Sequence, residues 1–213
     1  MGTVQPFQTT RWELVPDRTT LLVIDQQNDF LHPEGGYARS GVDVSHMRAT
    51  IGPTRDLVAA ARTRRIPVIW TRHGFRDARD AGVFLTLRPF LANAGLRIGT
   101  WGYEALDGLG AQQDDWYVEK QRLSAFFNTN LELLLRSLNA ETVLICGVLT
   151  NQCVAATSKD ASFRDFKPIV VAEAVGTTMP HLHDPALEMI RVGWGEVRSL
   201  GDTLADIAAL PAG

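Results

Sequence analysis

The sequence predicts an α/β fold in three layers, with helices on both faces of a mostly parallel central sheet. Short apolar runs bounded by polar residues recur along the chain, which is typical of strands buried on both faces. They alternate with segments of helical periodicity, and this alternation favours right-handed βαβ units. The predicted strands are 20–25, 66–71, 115–120, 142–147, 168–172 and a short one near 196–199.

Helices are predicted between these strands. Their bounds are 128–139, about 151–164 and 185–192, with another inside 46–65 that begins near Pro53 and closes at the basic run "RTRR". The stretch 73–114 is long for a connection, so we interpret it as a cover over the functional site. Residues 1–19 lack periodicity and form a predicted arm, with one domain over 20–213. For the arm, packing on a neighbour and disorder both stay open.

Composition limits the partners. The formal net charge of −3 and the absence of a basic stripe argue against a nucleic-acid partner. The apolar runs are too short to span a bilayer, so no membrane partner is expected. Two cysteines cannot form a disulfide framework, and the chain opens with no signal-like segment. We therefore expect a cytoplasmic protein.

Three chemically complementary residues follow predicted strands. Asp25 ends "LLVID", Lys120 ends "WYVEK", and Cys153 lies just after "VLICGVLT". The carboxyl ends of parallel strands share one edge of a sheet, where ligands bind. An ammonium group and a helix N-terminus both favour a thiolate, and a carboxylate can move protons. In this hypothesis Thr150 or Asn151 caps the helix that carries Cys153. Each catalytic candidate also has a structural alternative: a loop anchor, a solvated lysine and an inert thiol.

The chain resembles the isochorismatase-like cysteine hydrolases over about residues 20–200. The matching segments are "LLVIDQQNDF", "VEKQRLSAFFNTNL" and "GVLTNQCVAATSKDASF", in the order in which the family has them. The resemblance implies a catalytic triad of Asp25, Lys120 and Cys153. It also implies a cis peptide bond between Val148 and Leu149, with the backbone N–H groups of Leu149 and Cys153 as an oxyanion hole. Family members often carry a smaller residue at position 149.

The expected activity is hydrolysis of a C–N bond in a small linear amide, ureido or carbamoyl compound through a covalent acyl-enzyme. "GTWGYEAL" (99–106) with "VEKQRLSAFFNTNL" is most similar to the ureidoacrylate and biuret hydrolase branch. The candidate substrate-binding residues are Asn28, Arg72, Trp101 and Phe126, although both aromatic residues are also candidates for the core. Phe30 is expected to lie buried under the Asp25 loop.

No metal and no other cofactor is expected. Nicotinamidases have an Asp-x-His metal element after the second strand, whereas this chain reads "TRHGFRDARD". His73 is interpreted as a pocket-lining group or a plain loop residue. His181 and His183 are interpreted as structural, because no third ligand is evident and Asp184–Pro185 is typical of a helix start.

Three alternatives stay open. One is a maleamate- or nicotinamide-type amidase, and another is an isochorismatase-type vinyl ether hydrolase, which needs no thiol. The third is a catalytically silent binding member. Apolar residues in "SGVDVSHM" and "FFNTNLELLLRSL" exceed the needs of one core, so a homo-oligomer is also expected.

Overall fold

A six-stranded sheet forms the centre of the protein. The computed structural model describes residues 11–92 and 95–211. Within them the strands are β1 (Thr19–Ile24), β2 (Val68–His73), β3 (Trp116–Lys120), β4 (Thr142–Val148), β5 (Lys167–Gly176) and β6 (Glu196–Arg198). All neighbouring pairs are parallel. This confirms the predicted three-layer α/β class.

The strand order β3-β2-β1-β4-β5-β6 places a topological switch point between β1 and β4. The chain builds outward from β1 to β3 and then returns to the other side of β1. In open sheets of this kind a crevice forms at the switch point, beyond the carboxyl ends of the strands. Ile24 is paired with Gly147, and His73 is paired with Lys120, so these strand ends share one edge.

Gly147 permits the close approach of β4 to β1 at this edge. Its φ is +116°, and a Cβ atom here would lie 2.0 Å from the carbonyl oxygen of Ile24. A side chain at position 147 would therefore push the two strands apart. The register between β4 and β5 also shifts between Ile145 and Gly147, which marks a local irregularity next to the switch point.

Two apolar clusters cover the two faces of the sheet, because alternate strand residues point to opposite sides. Leu22, Ile24 and Ile69 belong to one cluster, which also contains Cys153. Leu21 and Val23 belong to the other. Burial on both faces explains the nearly continuous apolar sequence of these strands.

The helices flank the sheet, and several short ones lie beyond the carboxyl ends of its strands. They are α1 (Asn28–Leu31), α2 (Gly36–Arg39), α3 (Ser45–Arg48), α4 (Ile51–Thr63), α5 (Ala78–Ala81), α6 (Phe84–Leu87), α7 (Leu131–Ser137), α8 (Ala155–Ser162), α9 (His183–Gly193) and α10 (Leu200–Ala209). Helix α10 was not predicted from the sequence. Strand β2 extends two residues beyond its predicted end, so His73 is its last residue and not a loop residue.

The predicted cover contains short helical segments, and hydrogen bonds to Asp29 hold it in place. The described part of 73–114 holds α5, α6 and two short 3₁₀ segments, and residues 93–94 lie outside the described ranges. The buried Asp29 carboxylate accepts hydrogen bonds from Gly36 N at 2.8 Å and from Leu96 N at 2.5 Å. One charged group therefore fixes the α1–α2 region to the cover.

The described part of the predicted arm packs on the same chain. Trp12 N donates to Glu196 at 2.8 Å, and Arg198 donates to the carbonyl oxygen of Trp12 at 2.6 Å. Thr19 already belongs to β1. Residues 1–10 of the predicted arm and 212–213 of the predicted domain lie outside the described ranges. None of the described helices has the length and apolar character that crossing a membrane requires.

Candidate active site

Asp25 follows β1 directly and is fully buried. Its φ is +51°, a left-handed conformation that aspartate adopts more readily than most residues. The Thr71 hydroxyl donates to Asp25 Oδ1 at 2.5 Å and accepts a hydrogen bond from Asp25 N at 3.1 Å. Thr71 therefore fixes both the backbone and the side chain of Asp25 at the carboxyl end of β1.

Lys120 joins the two other predicted catalytic residues. Its Nζ lies 2.8 Å from Asp25 Oδ2 and 3.3 Å from Cys153 Sγ, and the lysine and aspartate side chains are completely buried. Nζ also donates to the carbonyl oxygens of Arg122 at 3.1 Å and Leu123 at 3.2 Å. Burial alone would lower the pKa of Lys120, but the Asp25 carboxylate and the Cys153 sulfur outweigh burial, so this pKa is raised. The lysine is therefore a fixed cation.

Cys153 lies in a π-helical turn, Thr150–Val154, that opens the segment before α8. The peptide bond between Val148 and Leu149 just before this turn is cis. The amides of Gln152 and Val154 both donate to the carbonyl oxygen of Leu149, which ties the turn to the end of β4.

The expected capping residues have other partners. Leu149 occupies the N-cap position. Thr150 Oγ1 lies 3.0 Å from His183 Nδ1, and Asn151 Oδ1 accepts a hydrogen bond from the Thr177 hydroxyl at 2.7 Å. The prediction that Thr150 or Asn151 caps the helix was therefore wrong: both side chains bind the β5–α9 region instead.

The Cys153 thiol is protonated at neutral pH. Burial raises its pKa, Lys120 lowers it, and the nearby Asp25 carboxylate raises it again, to about 12. Lys120 thus favours the thiolate, as expected, but its effect on the pKa of Cys153 is smaller than that of burial. Because Asp25 already carries the counter-charge of Lys120, ionisation of the thiol requires that its proton pass to a neighbouring base.

Cys146 is chemically inert by comparison. It is fully buried in β4, and burial raises the pKa of its thiol to about 12. No ammonium group is among the groups that shift its pKa. The two cysteines therefore differ in their neighbours and not in their burial.

His73 is the fourth polar group of the site. Its Nδ1 lies 4.0 Å from both Asp25 Oδ2 and Cys153 Sγ. Burial and the charge of Lys120 hold the pKa of His73 well below 6.5, so the imidazole is neutral. Ligand atoms of Asp25, His73 and Cys153 lie within 4.8 Å of one another, as in a metal-binding group. However, Lys120 already supplies a cation to two of them, which does not favour a metal ion here.

A pocket of about 440 Å³ opens beside the nucleophile turn. Tyr37, Arg88, Leu149 and Gln152 contribute to its wall, together with mostly apolar side chains. Cys153 itself is only 1% exposed and is not among the described residues that line this pocket. Arg88 and Tyr37 were not among the predicted site residues. Arg88 lies in the predicted cover and Tyr37 in α2, and neither belongs to a motif that the sequence analysis used.

None of the four predicted substrate-binding residues is among the described residues that line this pocket. Asn28 is buried and donates its side-chain amide to the carbonyl oxygen of Trp101 at 2.8 Å. Trp101 is half exposed. Phe126 is a core residue that stacks on Phe166, with ring centroids 6.0 Å apart.

Arg72 points away from the catalytic candidates. Thr71 and His73 face Asp25, and the intervening residue of a strand projects from the opposite face. The Arg72 guanidinium pairs with Glu104 at 2.7 Å and lies 4.1 Å from the centre of the Tyr117 ring. The charge of Arg72 is therefore paired with a carboxylate on the opposite face of the sheet from Asp25. Phe30 is buried, as expected, and its ring packs against that of Tyr37.

Gln27 is a positioning residue that the sequence analysis missed. Its side-chain oxygen accepts a hydrogen bond from His73 N at 2.8 Å, and its side-chain nitrogen donates to His73 O at 3.1 Å. The same nitrogen donates to Tyr103 O at 2.8 Å. Gln27 thus connects the ends of β1 and β2 with the cover. Gln27 belongs to the segment "DQQNDF", in which only Asp25, Asn28 and Phe30 were assigned a place or role from the sequence.

Comparison with known proteins identifies relatives over the whole chain. The isochorismatase domain family matches residues 19–202. A ureidoacrylate amidohydrolase RutB from Methylobacterium radiotolerans is 33% identical, covering 100% of this chain and 89% of that protein. RutB from an Enterobacter species is 30% identical, covering 94% of each chain.

Solved structures agree with this assignment. A cysteine hydrolase from Pseudomonas syringae pv. phaseolicola superposes with a TM-score of 0.87 at 28% identity, covering 97% of this chain and 99% of that one. An N-carbamoylsarcosine amidase from Thermoplasma acidophilum gives a TM-score of 0.70 at 25% identity, covering 86% and 96%. The resemblance drawn from the three sequence segments is confirmed.

Proposed function

Because the chain belongs to the isochorismatase family, we propose that it is a cysteine-dependent amidohydrolase that cleaves a C–N bond in a small linear amide, ureido or carbamoyl compound. The observation that carries this proposal is the contact of Lys120 Nζ with both Asp25 and Cys153 at the switch point of the sheet. The names of the relatives support the substrate class, since they include ureidoacrylate amidohydrolases and an N-carbamoylsarcosine amidase.

The first half of the reaction forms an acyl-enzyme. The Cys153 thiol gives its proton to Asp25 as the sulfur attacks the substrate carbonyl carbon, and the carbonyl oxygen becomes an oxyanion. In the proposal the backbone N–H groups of Leu149 and Cys153 stabilise this oxyanion. The C–N bond then breaks, and Asp25 returns the proton to the departing ammonia or amine.

The second half releases the acid. Asp25 takes a proton from water, the resulting hydroxide attacks the acyl carbon, and the C–S bond breaks. The sulfur recovers the proton from Asp25. Lys120 stays charged throughout, because its raised pKa keeps it protonated while the negative charge moves between Asp25, the oxyanion and the departing sulfur.

The contact between Cys153 and Lys120 disfavours the alternative of a vinyl ether hydrolase, which needs an acid carboxylate but no thiol. It also disfavours a silent binding member, which has no need for a buried thiol, carboxylate and ammonium in mutual contact. Burying such a group costs free energy that a simple binding site avoids.

The experiment that tests the proposal is ammonia release from a panel of compounds, measured for the wild type and for Cys153→Ala. The panel contains biuret, ureidoacrylate, N-carbamoyl amino acids, maleamate and nicotinamide, and Cys146→Ala is the matched control. We expect turnover of a ureido or carbamoyl compound that disappears in Cys153→Ala and persists in Cys146→Ala. Turnover that survives in Cys153→Ala would refute the proposal. Turnover of maleamate or nicotinamide alone would refute the ureido and carbamoyl class.

A further inference from the structure

The pocket beside Cys153 contains one charged side chain among the residues that are described as lining it, and that residue is Arg88. Its guanidinium donates a hydrogen bond to the side-chain oxygen of Gln152, the residue that precedes Cys153. The same group lies 4.2 Å from the centre of the Phe84 ring. The neutral Gln152 amide and the Phe84 ring thus hold the Arg88 guanidinium at the pocket wall.

Arg88 has no carboxylate partner in residues 11–92 and 95–211. Two other cations of this region do have carboxylate partners, since Lys120 is paired with Asp25 at 2.8 Å and Arg72 with Glu104 at 2.7 Å. The Arg122 guanidinium donates to two backbone carbonyl oxygens, those of Asp80 and Gln121. A guanidinium has five donors in a planar fork that matches a carboxylate, and the bond to Gln152 uses one donor. A partly buried cation without a counter-ion is therefore a strong binding group for an anion.

The charge of Arg88 acts on the reactive centre. Among the causes that set the pKa of His73, the charge of Arg88 follows burial and Lys120, and it also lowers the pKa of Tyr37. The Phe84 ring, on which the Arg88 guanidinium lies, is 4.9 Å from the His73 ring, and His73 lies 4.0 Å from Cys153 Sγ. These contacts allow a small molecule whose carbonyl carbon meets Cys153 to direct a carboxylate a few bonds away toward Arg88.

We infer that Arg88 binds a carboxylate of the substrate, so that the enzyme acts on an anionic ureido or carbamoyl acid in preference to a neutral compound such as biuret. This inference rests on the proposed function, because it assigns the substrate class of the same site. Arg88 is a specificity-determining residue: it does not take part in the proton transfers, and its charge selects the substrate that reaches Cys153.

A reagent pair tests this without turnover. Iodoacetate and iodoacetamide both alkylate a cysteine with loss of iodide, and they differ mainly in the carboxylate. The rate constant for each is measured at Cys153 by peptide mapping, and the ratio of iodoacetate to iodoacetamide is compared among variants. Arg88→Met removes the charge and keeps an unbranched side chain. Arg79→Met is the matched control, since Arg79 lies in the same cover with 91% of its side chain exposed.

The expected result is a fall of about tenfold or more in this ratio in Arg88→Met, with a smaller fall in Arg88→Lys and no change in Arg79→Met. Lys120 also attracts anions, but it is common to all four proteins and cancels in the comparison. A ratio that is equal in wild type and Arg88→Met would overturn the inference.

The kinetic counterpart uses N-carbamoyl-β-alanine and its uncharged carboxamide. In wild type, kcat/KM is expected to be higher for the acid than for the carboxamide. In Arg88→Met, kcat/KM is expected to fall for the acid and not for the carboxamide, mainly because KM for the acid rises. An equal loss for both compounds would overturn the inference. Because the alkylation ratio requires no hydrolysis, failure of the inference is separable from failure of the proposed function, which the Cys153→Ala assay reports.

Discussion

Replacing Lys120 by methionine leaves the Asp25 carboxylate buried without its counter-ion. At the observed 2.8 Å the attraction between the two charges is about 6 kcal/mol for an effective dielectric constant of about 20. The bond from Thr71 remains and offsets part of this loss. We therefore expect Lys120→Met to lower the free energy of unfolding by about 3–5 kcal/mol at neutral pH, which is the usual cost of breaking a buried ion pair.

The measurement is urea unfolding at neutral pH, followed by circular dichroism. The matched control is Lys167→Met, since Lys167 pairs with Glu141 at 3.3 Å on the surface and is expected to contribute less than about 1 kcal/mol.

A double variant decides whether the charge is the cause. Asp25→Asn combined with Lys120→Met removes both charges and is expected to be more stable than Lys120→Met alone. If the double variant is no more stable than the single one, or if Lys120→Met costs no more than Lys167→Met, the account of the buried ion pair is wrong.

Three further predictions concern the site and its surface. Thr71→Val removes the hydroxyl that fixes Asp25, so hydrolysis should fall at least tenfold while Thr71→Ser retains it; equal rates in both variants would exclude this positioning role. His73 is neutral in the folded protein and protonates more readily when unfolded, so wild-type stability should decrease as the pH falls below about 6.5; urea unfolding of His73→Asn should show a shallower decrease, and an identical pH slope would contradict the assignment. Phe127 and Leu133 expose 60% and 70% of their surface, which supports the expected homo-oligomer; a monomeric mass by light scattering at micromolar concentration would refute it.

The parts of the fold that follow from a regular pattern of apolar residues could be predicted from the sequence. Continuous apolar runs such as residues 20–25 have few other roles in a protein of this composition, so the strands and their parallel class could be predicted. It was also possible to predict that Asp25, Lys120 and Cys153 lie close together, because the carboxyl ends of parallel strands share one edge of the sheet. The contacts of Lys120 with both partners agree with that reasoning.

The pocket residues could not be predicted, for a physical reason. Arg72 and His73 are neighbours in sequence, yet strand alternation places their side chains on opposite faces. The predicted strand ended at residue 71, so both residues lay outside it and alternation could not be applied to them. Arg88 comes from the irregular cover, where no periodicity fixes the direction of a side chain. The state of the Cys153 thiol also depends on the balance between burial and two opposite charges, which sequence spacing does not contain.

The most direct test of the central claim is to trap the acyl group on Cys153 during turnover. Hydroxylamine competes with water for a thioester or thiocarbamate and converts the acyl group into a hydroxamate or hydroxyurea. With a substrate identified by ammonia release, we predict that wild type and Cys146→Ala form this product in proportion to hydroxylamine, whereas Cys153→Ala forms neither it nor ammonia. Continued ammonia release with no trapped product in wild type, or trapped product in Cys153→Ala, would contradict covalent catalysis by Cys153.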